Sequence, residues 1–162
     1  MQADIKNFRM PRSAEVASIG LYLDQTTKYI NEVFRPLGCV EVTPSMISNY
    51  VKKKYIGKPI KKLYSREQII CLMFIALAKL VLSMDNIDMF LKTDPFPMDG
   101  DEYDSFCDSF ENILGSVFGF GKLTAADASP ESEKERFAVS LMTAIAHYIY
   151  LNDCFEHMSA KR

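Results

Sequence analysis

TPSMISNYVKKKYIGKPIKKLYSREQI, Thr43 to Ile69, holds two helix starts, a turn rich in helix breakers and the densest positive charge of the chain. Thr43-Pro44 opens the first helix, with Thr as its N-cap and Pro at the first helical position, where no backbone N–H is needed. The spacing predicts a helix to about Lys54 with Met46, Ile47, Tyr50 and Val51 facing a core. Gly57 and Pro59 exclude helix throughout the stretch that follows. Ser65-Arg66-Glu67-Gln68 then reads as a capping box, Ser65 receiving a backbone N–H and Gln68 reaching back to it. The helix it opens is apolar on nearly every side and belongs at the buried centre of the fold.

Working outward, Gly20 to Phe34 follows a helical period, with Leu21, Leu23, Tyr29, Ile30, Val33 and Phe34 on one broad face, and Pro36 and Gly38 stop it. Ser83 caps a short helix, Met84 to Leu91. Asp94 to Asp101 reads as a linker. Tyr103 to Phe118 is again amphipathic, broken by Gly115, Gly119 and Gly121. Ser129-Pro130-Glu131 opens a last helix to about Asn152, with Phe137, Leu141, Ala144, Ile145, Tyr148 and Leu151 as its core face. The expected fold is all-α, with one short non-helical element near residues 56–64. A helix-turn-helix domain over 1–98 is followed by a C-terminal helical region over 99–162.

The chain has 162 residues, 48% apolar and 25% charged, an ordinary globular balance that excludes wholesale disorder. Its formal charge of −2 conceals an asymmetry. Thr43 to Arg66 carries Lys52, Lys53, Lys54, Lys58, Lys61, Lys62 and Arg66 with no acidic residue. The other 12 basic residues face all 21 acidic ones, so a segment at +7 rides on a body at −9. A charge run is usually a solvated face. Here, however, like charges crowd two helix ends and the turn between them without acidic neighbours, and a polyanion would relieve the repulsion.

The helix order supplies a second reason. A helix ending before Pro36, a turn through Gly38 and a helix from Thr43 form a helix-turn-helix pair, with a link longer than the usual turn. The start of the second helix would enter the major groove with Thr43, Ser45, Ser48 and Asn49 towards base edges. Lys52, Lys53 and Lys54 would meet backbone phosphates, as would Lys58, Lys61 and Lys62 from a small wing at Gly57–Leu63.

These residues resemble a known pattern. Thr43 to Ile69 is similar to the core of a family of uncharacterised bacterial proteins, the YkrK-like family. SIGLYLDQTTKYI (Ser18 to Ile30) resembles its lead-in, and MPR at Met10 to Arg12 and VLSMDNI at Val81 to Ile87 extend the likeness over about residues 10–92. That family is similar in turn to MerR-type winged helix-turn-helix regulators, where a Tyr ends the recognition helix and a basic-x-Tyr-Ser step follows the wing. The resemblance implies a MerR-like fold, with Ser45, Ser48, Asn49, Tyr50 and Lys52 on the recognition helix and Lys61, Lys62 and Tyr64 at the wing. MerR-type helices usually carry an Arg where this chain has Ser48 or Asn49, so base preference does not carry over.

The expected function is therefore a bacterial, cytoplasmic, DNA-binding transcriptional regulator, dimeric through its C-terminal helices, with double-stranded DNA as partner and an unidentified small-molecule effector as a second ligand. The competing expectation is a helical interaction or ligand-sensing module that does not touch DNA. RNA binding lacks the usual aromatic stacking platform. No enzyme, cofactor or metal is expected. The cysteines at 39, 71, 107 and 154 form no CxxC pair and read as reduced thiols. His147, Cys154 and His157, with Asp153 and Glu156 adjacent, would need a fourth ligand and a continuous helix to hold a metal, and a solvated helix end is the simpler reading. Gly119 to Leu123 departs from a phosphate loop, and Asp94 to Asp104 from a calcium loop. The N-terminus has no apolar core of a secretory signal. The longest apolar run, Ile69 to Leu82, is too short to cross a bilayer, which takes about 20 residues.

Overall fold

The computed structural model describes residues 4–93 and 100–162. Seven α-helices are present among them: α1 Leu23–Phe34, α2 Pro44–Lys52, α3 Arg66–Ala78, α4 Met84–Thr93, α5 Gly100–Val117, α6 Ala125–Ala128 and α7 Glu133–Ala160. Short 3-10 turns occupy Ile5–Asn7, Ser13–Glu15 and Arg35–Leu37. The described residues form no strand, only the isolated antiparallel bridges Leu21 to Tyr64 and Ile60 to Leu63. The architecture is all-α, as expected.

α3 is the centre. Nine of the ten positions from Ile69 to Ala78 are buried, Cys71 being half-buried, because α3 meets other elements on every side rather than on one stripe. Its start is the expected capping box: Gln68 N–H donates to Ser65 Oγ (3.2 Å) and Ser65 N–H to Gln68 Oε1 (2.9 Å). The Gln68 side chain does more, donating to the carbonyls of Gly57 (3.0 Å) and Lys58 (3.1 Å) and so tying the preceding loop to the helix.

The first helix begins at Leu23, not at Gly20. Gly20 takes a left-handed φ of 80°, and a Cβ there would sit 3.1 Å from the Tyr64 carbonyl. The chain is held extended at this point by the paired Leu21 and Tyr64 backbones (3.0 and 2.8 Å). α2 stops at Lys52 rather than Lys54, and Ser83 caps α4, which runs two residues past Leu91. Gly115 does not break α5 but lies within it; the left-handed residue beyond its end is Gly119. The linker reading of Asp94 to Asp101 falls mostly on residues 94–99, outside the described residues.

The C-terminal helix departs furthest from expectation. Its N-cap is Ser132, accepting the Glu135 N–H at 3.1 Å, because Thr124 caps the separate short α6 just upstream. It continues to Ala160. Its buried face is Leu141, Met142, Ile145, Ala146 and Ile149, packed against α5 and α3. Of the expected face only Leu141 and Ile145 are buried; Phe137, Ala144, Tyr148 and Leu151 are exposed.

One hydrophobic cluster runs from Ile5 to Ile149 and takes in residues on both sides of position 98. The N-terminal strap is part of it. Phe8 lies between Phe34 of α1 (6.4 Å between ring centroids) and Phe110 of α5 (6.1 Å). Beside it Arg12 bridges Asp108 (2.6 Å) and Glu111 (2.5 Å), Ser13 N–H donates to Asp104 (2.8 Å), and Tyr103 Oη donates to the Pro11 carbonyl (2.7 Å). The two carboxylates raise the Arg12 pKa further above its ordinary value, chiefly through the Glu111 hydrogen bond. All four cysteines are free, and burial lifts the Cys39, Cys71 and Cys107 thiols to about 11.

Candidate nucleic-acid interface

α1 and α2 pack together across a link that is neither short nor slack. Arg35–Leu37 adds one tight turn, and Gly38, at φ 80°, reverses the chain. The link is then pinned by Asn31 of α1. Its Nδ2 donates to the Val42 carbonyl (2.9 Å), and its Oδ1 accepts the Val42 N–H (2.8 Å). This amide clamp fixes the residue just before the Thr43 cap, so it sets where α2 starts. Sequence reading passed over Asn31 because an Asn inside a helical period looks like a solvent-facing residue. Asn31→Leu should lower unfolding free energy by about 2 kcal/mol, since it orphans two partly buried backbone groups. Thermal denaturation measures this; an unchanged midpoint would remove the clamp from the account.

Thr43 Oγ1 accepts the Met46 N–H (3.1 Å) and so fixes the N-terminus of α2. Ile47 and Tyr50 are buried, Met46 and Val51 half-buried. The opposite face presents Thr43, Ser45, Ser48, Asn49 and Lys52 to solvent. The four expected base-facing positions are thus together on one exposed surface.

The end of α2 explains where the next charge lies. Lys54 N–H donates to the Val51 carbonyl (3.0 Å) and Tyr55 N–H to the Tyr50 carbonyl (2.9 Å), a Schellman closure. The accompanying apolar contact is Tyr50 against Tyr55, centroids 6.3 Å apart. The closure forces Lys54 into the left-handed region at φ 63°, where Gly or Asn is usual.

The wing region is a minimal hairpin. Ile60 and Leu63 exchange backbone hydrogen bonds of 3.1 and 2.9 Å around a loop of two residues, Lys61 and Lys62. Both have positive φ, 51° and 67°, as a type I′ turn demands. Such turns favour Asn-Gly, and an L residue with a Cβ loses roughly 1 kcal/mol or more there. The described residues contain three non-glycine positions of positive φ, and all three are lysines of the basic segment. The strain is spent on holding charge at a turn tip.

Lys52, Lys53, Lys54, Lys58, Lys61 and Lys62 are all exposed, and among the described residues none is ion-paired. Three other expected contact residues are placed differently. Tyr50 and Tyr64 are buried, with burial raising both phenol pKa values, and the Tyr64 backbone is paired with Leu21. Their rings hold α2 and the hairpin in place and leave little surface for a ligand. Arg66 is half-buried, and its Nε donates to the Val16 carbonyl (3.0 Å), tying α3 to the strap. Two residues not singled out from the sequence border this surface: Ile60 on the hairpin and Ile19 beside Gly20 are 78% and 86% exposed.

Elsewhere, the described residues bring no three His, Cys, Asp or Glu side chains together as metal ligands; the His157 ring lies on the Asp153 carbonyl one turn earlier (2.8 Å). No described helix is long and apolar enough to cross a membrane.

No curated protein and no solved structure matches the chain. Residues 11–106 do match the model of a protein family described as a domain of unknown function, DUF1836. The match takes in the strap from Pro11 onward, the clamped helix pair, the lysine hairpin, α3, α4 and the start of α5. With more than half its length so matched, the chain belongs to the DUF1836 family.

Proposed function

We propose that this protein is a DNA-binding transcriptional regulator that docks on double-stranded DNA through α2 and the Lys61-Lys62 hairpin. The observation that carries this reading is the surface of six exposed, unpaired lysines, three of them in strained left-handed positions, beside the polar face of Ser45, Ser48 and Asn49. Thr43 to Asn49 offers hydroxyls and an amide to base edges, and the lysines meet phosphates on either side. The resemblance to the YkrK-like family, and through it to MerR-type winged helix-turn-helix proteins, supports the same assignment of recognition helix and wing.

A gel-shift titration of genomic fragments against salt tests it. Six phosphate contacts give a plot of log affinity against log salt with slope near −5. Weak salt-independent binding, or none to any fragment, would overturn the reading.

A second reading, a ligand-sensing module, is favoured by a groove of about 760 Å3 between α5 and α7. Phe106, Val139 and Met142 line it on the apolar side, with the exposed Asp101 and Asp108 and the buried Asp127 of α6 as its acidic residues. Its size falls in the range of small-molecule sites. Within the first reading, this groove is where an effector would enter.

A further inference from the structure

The groove between α5 and α7 is long and acidic. Glu102 meets Lys134 (3.8 Å) and the Phe118 ring meets Tyr150 (5.3 Å between centroids), the same offset of 32 residues, so the two helices run parallel. The lining runs from Asp101 to Asn112 on one wall and from Ser132 to Met142 on the other, about 15 Å of helix on each side. The chain returning between them adds Thr124 and Asp127. Asp101, Glu102, Asp108, Asp127 and Glu135 thus face the groove against one basic side chain, Lys134, among the described residues. Arg12 takes one oxygen of Asp108 (2.6 Å). Asp127 is only 7% exposed. Thr124 Oγ1 donates to its Oδ2 (2.9 Å), while its Oδ1 has neither a hydrogen bond nor an ion pair among the described residues. A carboxylate so buried is costly without a positive partner.

We propose that this groove binds a linear aliphatic polyamine, its ammonium groups on the carboxylates and its methylenes on Phe106, Val139 and Met142. The inference rests on the ligand-sensing reading of the groove and not on DNA binding. Asp127 Oδ1 calls for an N–H donor, which a protonated amine has and a quaternary ammonium lacks. The carboxylates come from three elements spread along the groove, and no three His, Cys, Asp or Glu side chains among the described residues gather as metal ligands. Charges spaced along a flexible chain match that spread, whereas a single divalent ion needs its oxygens converging on one point. The apolar side adds contact for methylenes and offers nothing to a hydrated ion.

Calorimetric titration of the full chain with spermidine tests this, at about 0.15 M salt, where loose surface attraction is screened. One spermidine per chain should bind in the micromolar range. Butylamine, with a single charge, should bind at least about a hundredfold more weakly, since each charge-assisted hydrogen bond it forgoes is worth about tenfold or more. Asp127→Asn keeps the side-chain shape and should weaken spermidine about tenfold or more. Ser105→Lys, at an exposed lining position, puts an ammonium in the groove and should weaken spermidine as much, whether or not Asp127→Asn folds. Asp24→Lys alters charge at an exposed position of α1 and should leave binding unchanged. Octanediol serves as the uncharged probe of similar length. If it binds as tightly as spermidine, the polyamine is overturned and the ligand-sensing groove stands. If neither binds at millimolar concentrations, both are overturned. Spermidine binding that ignores Ser105→Lys, or falls as far with Asp24→Lys, reports diffuse surface attraction and also overturns the proposal.

Discussion

A variant carrying Lys54→Asn, Lys61→Asn and Lys62→Gly should be more stable than the parent and bind DNA about a thousandfold more weakly at 0.1 M salt. The two effects have one structural origin. Each lysine holds a left-handed φ, at the Schellman closure of α2 or at the two-residue hairpin loop. Asn and Gly adopt that conformation at little steric cost, and removing adjacent like charges relieves further repulsion. Allowing for the greater unfolded-state freedom of Gly, the summed gain is about 2 kcal/mol. That is a rise of roughly 5 °C in Tm for a chain of this length. Losing three phosphate contacts should reduce the steepness of the salt dependence by about three units. Calorimetry and the gel-shift titration read the two outcomes separately. Lower stability would show that the turns are not strained by their side chains. An unchanged salt slope would show that these lysines do not meet phosphate.

Phe110→Ala should cost about 3–5 kcal/mol and lower a single unfolding transition. The ring is fully buried, packed on Phe8 of the strap and Phe106 on its own helix. Phe8 in turn lies against Phe34 at the end of α1. A cavity at Phe110 therefore loosens the helix pair that presents the lysines, although Phe110 is far from it in sequence. Total stabilities of 5–15 kcal/mol make such a loss a large fraction of the whole. Helical circular dichroism and tyrosine emission should shift together. Two separated transitions, with only the second moved, would show that the α1–α2 unit folds without α5.

The sequence was most legible where one local rule decided the outcome. Thr43-Pro44, the Ser65–Gln68 box and the all-apolar α3 appear where capping and periodicity put them. It was least legible where two rules competed. On α7 two apolar faces share one helix, Met142, Ala146 and Ile149 on one and Tyr148, Leu151 and Phe155 on the other, and periodicity does not say which faces inward. The larger aromatic residues drew the expectation outward. The hairpin loop was hidden because Lys-Lys is a poor I′ sequence, recognisable only from its φ values. The charge surface was legible as a count along Thr43–Arg66. Its selection was not: burial withdrew Tyr50 and Tyr64, and the Val16 carbonyl engaged Arg66. The Asn31 clamp had no signal, since its partners are backbone atoms eleven residues away.

The strap has a consequence for how the chain is made. Arg12 and Ser13 find their partners 91 to 99 residues later, on α5. A ribosome adding about 5–20 residues per second needs roughly 5–20 s to bring those carboxylates out after the strap itself has been made. During that interval Phe8 and the end of α1 stay uncovered in the nascent chain. The clamped helix pair can form early, but the aromatic contacts beneath it close only when α5 leaves the exit tunnel. Synonymous codons that slow translation between α3 and α5 should therefore lengthen the time in which the half-made protein is open to proteases and to aggregation.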